Sequence, residues 1–86
     1  MRKGLYAIKD MRSRQFTDPF VEVNDAAALR GFSYAINGQN AIMSFAPEDF
    51  RLFKIGEWES DLAVITYLET GIELVAAGED VKERIE

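Results

Sequence analysis

Between Lys9 and Phe20 the chain sets three cations, Lys9, Arg12 and Arg14, two or three residues apart and follows them with two rings, Phe16 and Phe20. Cations displace counterions from phosphates and planar rings stack on bases, so this composition suits a single strand of nucleic acid. The ordinary alternative is a basic turn that simply stays solvated, beside phenylalanines that pack inward. Lys3 extends the basic segment upstream. Arg30 and Tyr34, one helical turn apart, make a second candidate contact or a surface stacking pair. The candidate nucleic-acid-binding residues are therefore Lys3, Lys9, Arg12, Arg14, Arg30 and Tyr34.

Other chemistries are poorly supplied. The chain has no cysteine and no histidine, which removes thiolate nucleophiles, disulfides, the usual general base and the commonest metal ligands. Ser13, Ser33, Ser44 and Ser60 thus lack a histidine to activate them. The acidic groups Glu48-Asp49 and Glu57-Glu59-Asp61 offer oxygen ligands for a hard cation, but neither has the spacing of a calcium loop, and acidic turns serve capping and solubility. No catalytic residue, metal or cofactor is expected.

The elements that position the cations follow from pattern. Gly4 to Asp10 alternates Leu5 and Ala7 with Tyr6 and Ile8, as in a strand covered on both faces. Met11 to Gln15 is a connecting turn with a basic tip. Phe16 to Val23 returns as a strand in which Pro19, lacking an N–H, marks a sheet edge or a bulge. Asn24 or Asp25 then caps a helix whose inward positions are Ala28, Leu29, Phe32, Ala35 and Ile36 and whose outward positions are Ala26, Ala27, Arg30 and Tyr34. Asn37-Gly38 ends it.

Asn37 to Ala46 reads as a loop tucked under the helix end, and Pro47-Glu48-Asp49 as a first helical turn or a type I turn. Phe50 to Trp58 is a strand with Phe50 and Leu52 on one face and Phe53 and Ile55 on the other, interrupted at Gly56 by a bulge or close approach. Glu59-Ser60-Asp61 turns into Leu62 to Leu68, the clearest strand signal, which pairs most simply with its predecessor. Ile72 to Ala77 is a fifth strand or a helical turn. The expected fold is α+β: a small antiparallel sheet of four to five strands, in the order β-β-α-β-β with a short last element, and one helix across one face. Residues 1–78 form one domain and 79–86 a charged C-terminal tail that frays.

Eighty-six residues with 48% hydrophobic side chains, including six Phe, three Tyr and one Trp, suffice for one packed core. One helix does not cover all the aromatic surface of such a sheet, so a homodimer is expected. No apolar run approaches the roughly eighteen residues of a membrane span, and no signal segment opens the chain, which points to a cytoplasmic setting without membrane contact. The net charge of −5 is unevenly spread: residues 1–14 carry +4, residues 57–86 carry −7 and the middle carries −2. The molecule is electrically polarised if the fold keeps those ends apart.

The run LYAIKDMRSRQFTDPFVEVNDAAALRGFSYAIN followed by PEDFRLFKIGEW resembles the small nonstructural protein of gokushovirus-type microviruses, which are single-stranded DNA bacteriophages. The matching pieces are Tyr6, Ile8 and Asp10; Phe16 with Asp18-Pro19-Phe20; Asn24, Arg30, Phe32 and Asn37; and Pro47 to Phe50 through Leu52 to Gly56-Glu57-Trp58. After Trp58 the chain departs from the family pattern, with a tighter Glu59-Ser60-Asp61. The resemblance implies a non-catalytic accessory role in viral DNA synthesis or packaging in the host bacterial cytoplasm, with single-stranded viral DNA as partner. The alternative is an adaptor that recruits a phage or host replication or capsid factor without touching DNA.

Overall fold

The structure, a computed structural model, describes residues 1–83. Its centre is a pair of long antiparallel strands, β1 (Arg2–Asp10) and β4 (Phe50–Glu59), matched from Arg2 with Glu59 to Asp10 with Phe50. Outside β1 lie two short strands, β2 (Gln15–Phe16) and β3 (Phe20–Glu22); outside β4 lie β5 (Val64–Tyr67) and β6 (Glu73–Ala77). Every pairing is antiparallel. The sheet is thus four positions wide but built of six strands, because both outer positions are broken.

The break between β2 and β3 has a plain cause. Pro19 lies in it and has no N–H to give the ladder. Thr17 bridges part of the gap: its N–H donates to the Ile8 carbonyl at 2.8 Å, and its Oγ1 accepts from the Ile8 N–H at 3.0 Å. Between β1 and β4 the register shifts opposite Ile55, so the interruption expected at Gly56 is a bulge one residue earlier. Gly56 itself is a close approach, since a Cβ there would sit 2.7 Å from the Thr66 carbonyl oxygen. The stretch 72–77 resolves as a strand over Glu73–Ala77 and pairs with β4.

One face of the sheet carries the helices. Asn24 is extended and its side-chain oxygen accepts from the Ala27 N–H at 2.9 Å, capping α1 (Asp25–Tyr34). Ala28 and Phe32 of α1, with Ile36 beyond it, are buried against Tyr6, Phe50 and Leu52 of the sheet, as the helical spacing requires. Leu29 and Ala35 pack at the margin. The chain leaves α1 through a π turn, Ala35–Gln39, in which Gly38 at φ 134° takes a conformation that glycine tolerates best.

Three expectations change here. The loop predicted over 37–46 contains a second helix, α2 (Ala41–Phe45), because Asn40 caps it through bonds of 3.1 Å from the N–H groups of Ile42 and Met43. One helix therefore does not make the layer alone. The strand predicted over Leu62–Leu68 shortens to Val64–Tyr67, since Ala63 turns the chain at φ 55° and leaves Leu62 exposed in the turn. The segment predicted to fray from residue 79 is instead anchored as far as Glu83. It begins with α3 (Gly78–Val81), seated so closely that a Cβ on Gly78 would strike the Pro47 carbonyl. Beyond α3, Lys82 Nζ donates to the Ile36 carbonyl at 3.2 Å and the Ser44 Oγ at 3.0 Å, and Asn37 Nδ2 donates to the Val81 carbonyl at 2.9 Å. The rest of the predicted tail, 84–86, lies outside the described residues.

Tyr6 ties the sheet to the helix start. It is fully buried, and its hydroxyl donates to Asp25 Oδ1 at 2.6 Å. Burial first, and then that hydrogen bond, push its phenol well above the ordinary tyrosine range. A pKa raised in the folded state means that the fold holds the proton more tightly than the unfolded chain does. This contribution is complete below pH about 10 and is lost as pH climbs past it, by up to about 1.4 kcal/mol per pH unit. Urea unfolding of wild type should therefore weaken between pH 9 and pH 12 more steeply than that of Tyr6→Phe. Equal slopes would show that Tyr6 does not control alkaline unfolding.

Candidate nucleic-acid interface

Strand alternation sorts β1 into two sets. Tyr6 and Ile8 face the helices, while Lys3, Leu5, Ala7 and Lys9 face the other way, onto a side of the sheet that no described helix covers. Register brings residues of neighbouring strands to the same face: Phe16 and Arg51 flank Lys9, and Phe53 stands beside Ala7. Lys9 Nζ lies 5.4 Å from the centre of the Phe16 ring, which meets Phe53 edge-on at 5.8 Å and 67°. A shallow cleft of about 380 Å³ continues from Phe16 across Leu5, Ala7 and Ile55 to Ile65 and Tyr67. Tyr67 is 86% exposed.

The turn after β1 presents the other cations. The Asp10 carboxylate accepts from the Arg12 N–H at 2.9 Å, and the Asp10 carbonyl from the Arg14 N–H at 2.8 Å, a tight turn in which Arg14 takes φ 63°. Arg12 and Arg14 are exposed. Arg12 reaches Asp49 only at 3.9 Å, a distance at which an exposed pair contributes little.

Lys9 and Arg51 stand directly opposite each other, which is unfavourable for like charges. Among the described residues neither is ion-paired, and Arg51 Nε is buried with no hydrogen-bond partner. An oxyanion placed beside both cations would relieve the repulsion. Lys9, Arg12 and Arg14 thus gather at one end of the open face with Phe16, Phe53 and Arg51.

The remaining predicted residues lie elsewhere. Lys3 shares the open face but sits six residues along β1 from Lys9, roughly 20 Å away. Arg30 and Tyr34 are exposed on the outer side of α1, across the sheet from the open face, beside a depression lined by Leu29, Ser33 and Val81. The structure does not join them to the basic tip. Phe20, the second ring considered with that tip, packs against the core and stacks on Tyr6 at 6.0 Å.

Arg51, Phe53 and Tyr67 are the residues that sequence reasoning passed over. The signal existed for Phe53, since alternation sets it opposite to Phe50 and Leu52. Nothing local marked Arg51, because its place beside Lys9 depends on the long-range register of β1 with β4.

Charge separation along the chain survives only in part. At the far end of β1 the N-terminal ammonium meets Glu59 at 2.7 Å and Asp61 at 2.9 Å, and Arg2 meets Glu57 at 3.1 Å. The hydrogen bond from the terminus is the main cause that holds the Glu59 carboxyl below the usual carboxylate range. Glu79 and Asp80, by contrast, ride on α3 beside the Pro47–Asp49 turn, at the hairpin's own end. The basic tip is therefore a local patch rather than one pole of a dipole. Among the described residues no three acidic side chains are arranged to hold a metal ion, and no helix is long and apolar enough to cross a membrane.

Comparison with known proteins gives one family: a family model described as Phage ORF5 protein matches residues 3–81. No curated protein and no solved structure matches the chain.

Proposed function

The chain belongs to the Phage ORF5 protein family, and we propose that it is a non-catalytic phage protein that binds single-stranded viral DNA in the host bacterial cytoplasm during DNA synthesis or packaging. The resemblance of its sequence to the nonstructural proteins of gokushovirus-type microviruses supports that setting. One observation carries the binding reading: an uncovered sheet end on which Lys9, Arg51, Phe16 and Phe53 adjoin, with two cations lacking any acidic partner among the described residues. Phosphates sit beside Lys9 and Arg51 and along Arg12 and Arg14. Bases stack on Phe16 and Phe53.

Anisotropy of a labelled oligonucleotide, titrated over a range of salt, tests this. Wild type binds most tightly at low salt. Each phosphate contact to a single strand contributes about 0.7 to the slope of log affinity against log salt, so Arg12→Ala/Arg14→Ala lowers it by about 1.4. Absence of any anisotropy change at low salt would falsify direct DNA binding.

A different surface favours the adaptor reading. On α2, Phe45 is 91% and Ile42 71% exposed, a small apolar pair on the helical side of the molecule. If recruitment of a phage or host replication or capsid factor is the role, nuclease-treated pull-downs retain that factor and Phe45→Ser releases it.

A further inference from the structure

The two outer edges of the sheet are built differently. On the β1 side the edge is cut into strands of two and three residues, with Asp18 and Pro19 between them. Short strands, charge and proline are the devices that stop an edge from pairing with another chain. On the β4 side, β6 carries Glu73 and a register shift beside Val75. β5, four residues long, carries neither charge nor proline nor bulge. Val64-Ile65-Thr66-Tyr67 contains no charge, proline or glycine, keeps an unbroken register with β4 and has no strand on its outer side among the described residues.

Both faces of β5 are open as well as its edge. Val64 and Thr66 alternate with Ile65 and Tyr67, and all four are exposed, Val64 at 45% and Ile65 at 56%. The helical layer stops short of this end of the sheet, so nothing described obstructs another strand there.

We propose that β5 pairs antiparallel with β5 of a second copy of this chain. A strand is what the unpaired backbone groups require, and a second copy supplies one that is itself unpaired, apolar and uncharged, so a single contact covers both edges. The two-fold axis runs normal to the sheet. The result is a continuous sheet twice as wide, closed at two copies because its new outer edges are the blunted ones. Rotation about that axis keeps both uncovered faces on the same side, with the two basic tips toward opposite ends. The pairing does not depend on the DNA-binding reading, and its test contains no DNA.

Sedimentation equilibrium of wild type should give twice the monomer mass at micromolar concentration. Ile65→Lys places a like charge beside the axis at a position already exposed in the monomer, and should weaken dimerisation by at least about tenfold while circular dichroism stays unchanged. The chain has no cysteine, so single cysteines report proximity directly. Ile65→Cys or Thr66→Cys should form a disulfide-linked dimer on mild oxidation, and Ser13→Cys in the basic turn should not. A monomer throughout the micromolar range overturns the proposal. So does a dimer indifferent to Ile65→Lys, or one that cross-links at Ser13→Cys and not at β5; such a dimer would place the second copy on another surface.

Discussion

Phe32→Ala should lower the free energy of unfolding by about 3–5 kcal/mol, a large part of the stability available to a chain of this size. Phe32 is 2% exposed and stands where α1 meets Tyr6, Phe50 and Leu52. Truncation there removes the transfer free energy of the ring and leaves a cavity, because the backbone of α1 is held at its start by the Asn24 cap and just past its end by the Asn37 hydrogen bond to the Val81 carbonyl. Phe45→Ala is the contrast: its ring is 91% exposed, and the change should stay within about 0.5 kcal/mol. Urea midpoints at unchanged m-values measure both. If Phe32→Ala proves too unstable to purify, Phe32→Leu keeps most of the volume and should fall between the two. Similar midpoints for Phe32→Leu, Phe45→Ala and wild type would mean that the core is not centred on Phe32.

The second large effect concerns the rings of the open face. A base stacked on an aromatic side chain contributes about 1–3 kcal/mol by alanine substitution, so Phe53→Ala or Phe16→Ala should weaken oligonucleotide binding by about 5- to 150-fold. Phe16 is 41% exposed, so its removal costs little stability, and Phe16→Trp should retain affinity because a larger ring still stacks. These variants leave the salt slope unchanged. The Arg12→Ala/Arg14→Ala protein behaves in the opposite way, losing slope, which separates stacking from phosphate contact in one set of titrations. Phe45→Ala again serves as the control, since it lies on the helical side. An affinity indifferent to both Phe16→Ala and Phe53→Ala would remove the sheet face from the site.

The six phenylalanines show how much of this was legible beforehand. Phe32 could be placed in the core from helical spacing alone, because the apolar positions of a helix declare which side faces inward. Phe50 and Phe53 could be assigned to opposite faces by strand alternation, but alternation does not say which face is covered. That answer came from α1 and its continuation at Ile36, which pack against Tyr6 and Leu52 and leave Phe53 outside. Phe45, expected to tuck under the helix end, sits exposed because the Asn40 cap winds Ala41–Phe45 into a helix that buries Met43 instead. The capping signal was present in the sequence, though the Asn-Gly-Gln-Asn run before it reads more simply as a loop.

By itself the sequence determined neither α2 nor α3 nor the split of the second strand, but it did determine the class of fold, the two long central strands, the basic turn and the capped helix α1. These are local matters: side-chain period, a missing N–H at Pro19 and a cap at Asn24 act within a few residues. Tertiary structure alone decided that Arg51 faces Lys9, that Arg30 and Tyr34 lie across the sheet from the basic tip, that Glu79 and Asp80 return to the hairpin's end, and that β5 is left with a bare edge. Each depends on the register of strands distant in the chain or on how far the helical layer reaches. Both are fixed by the packing of the whole core rather than by the residues concerned.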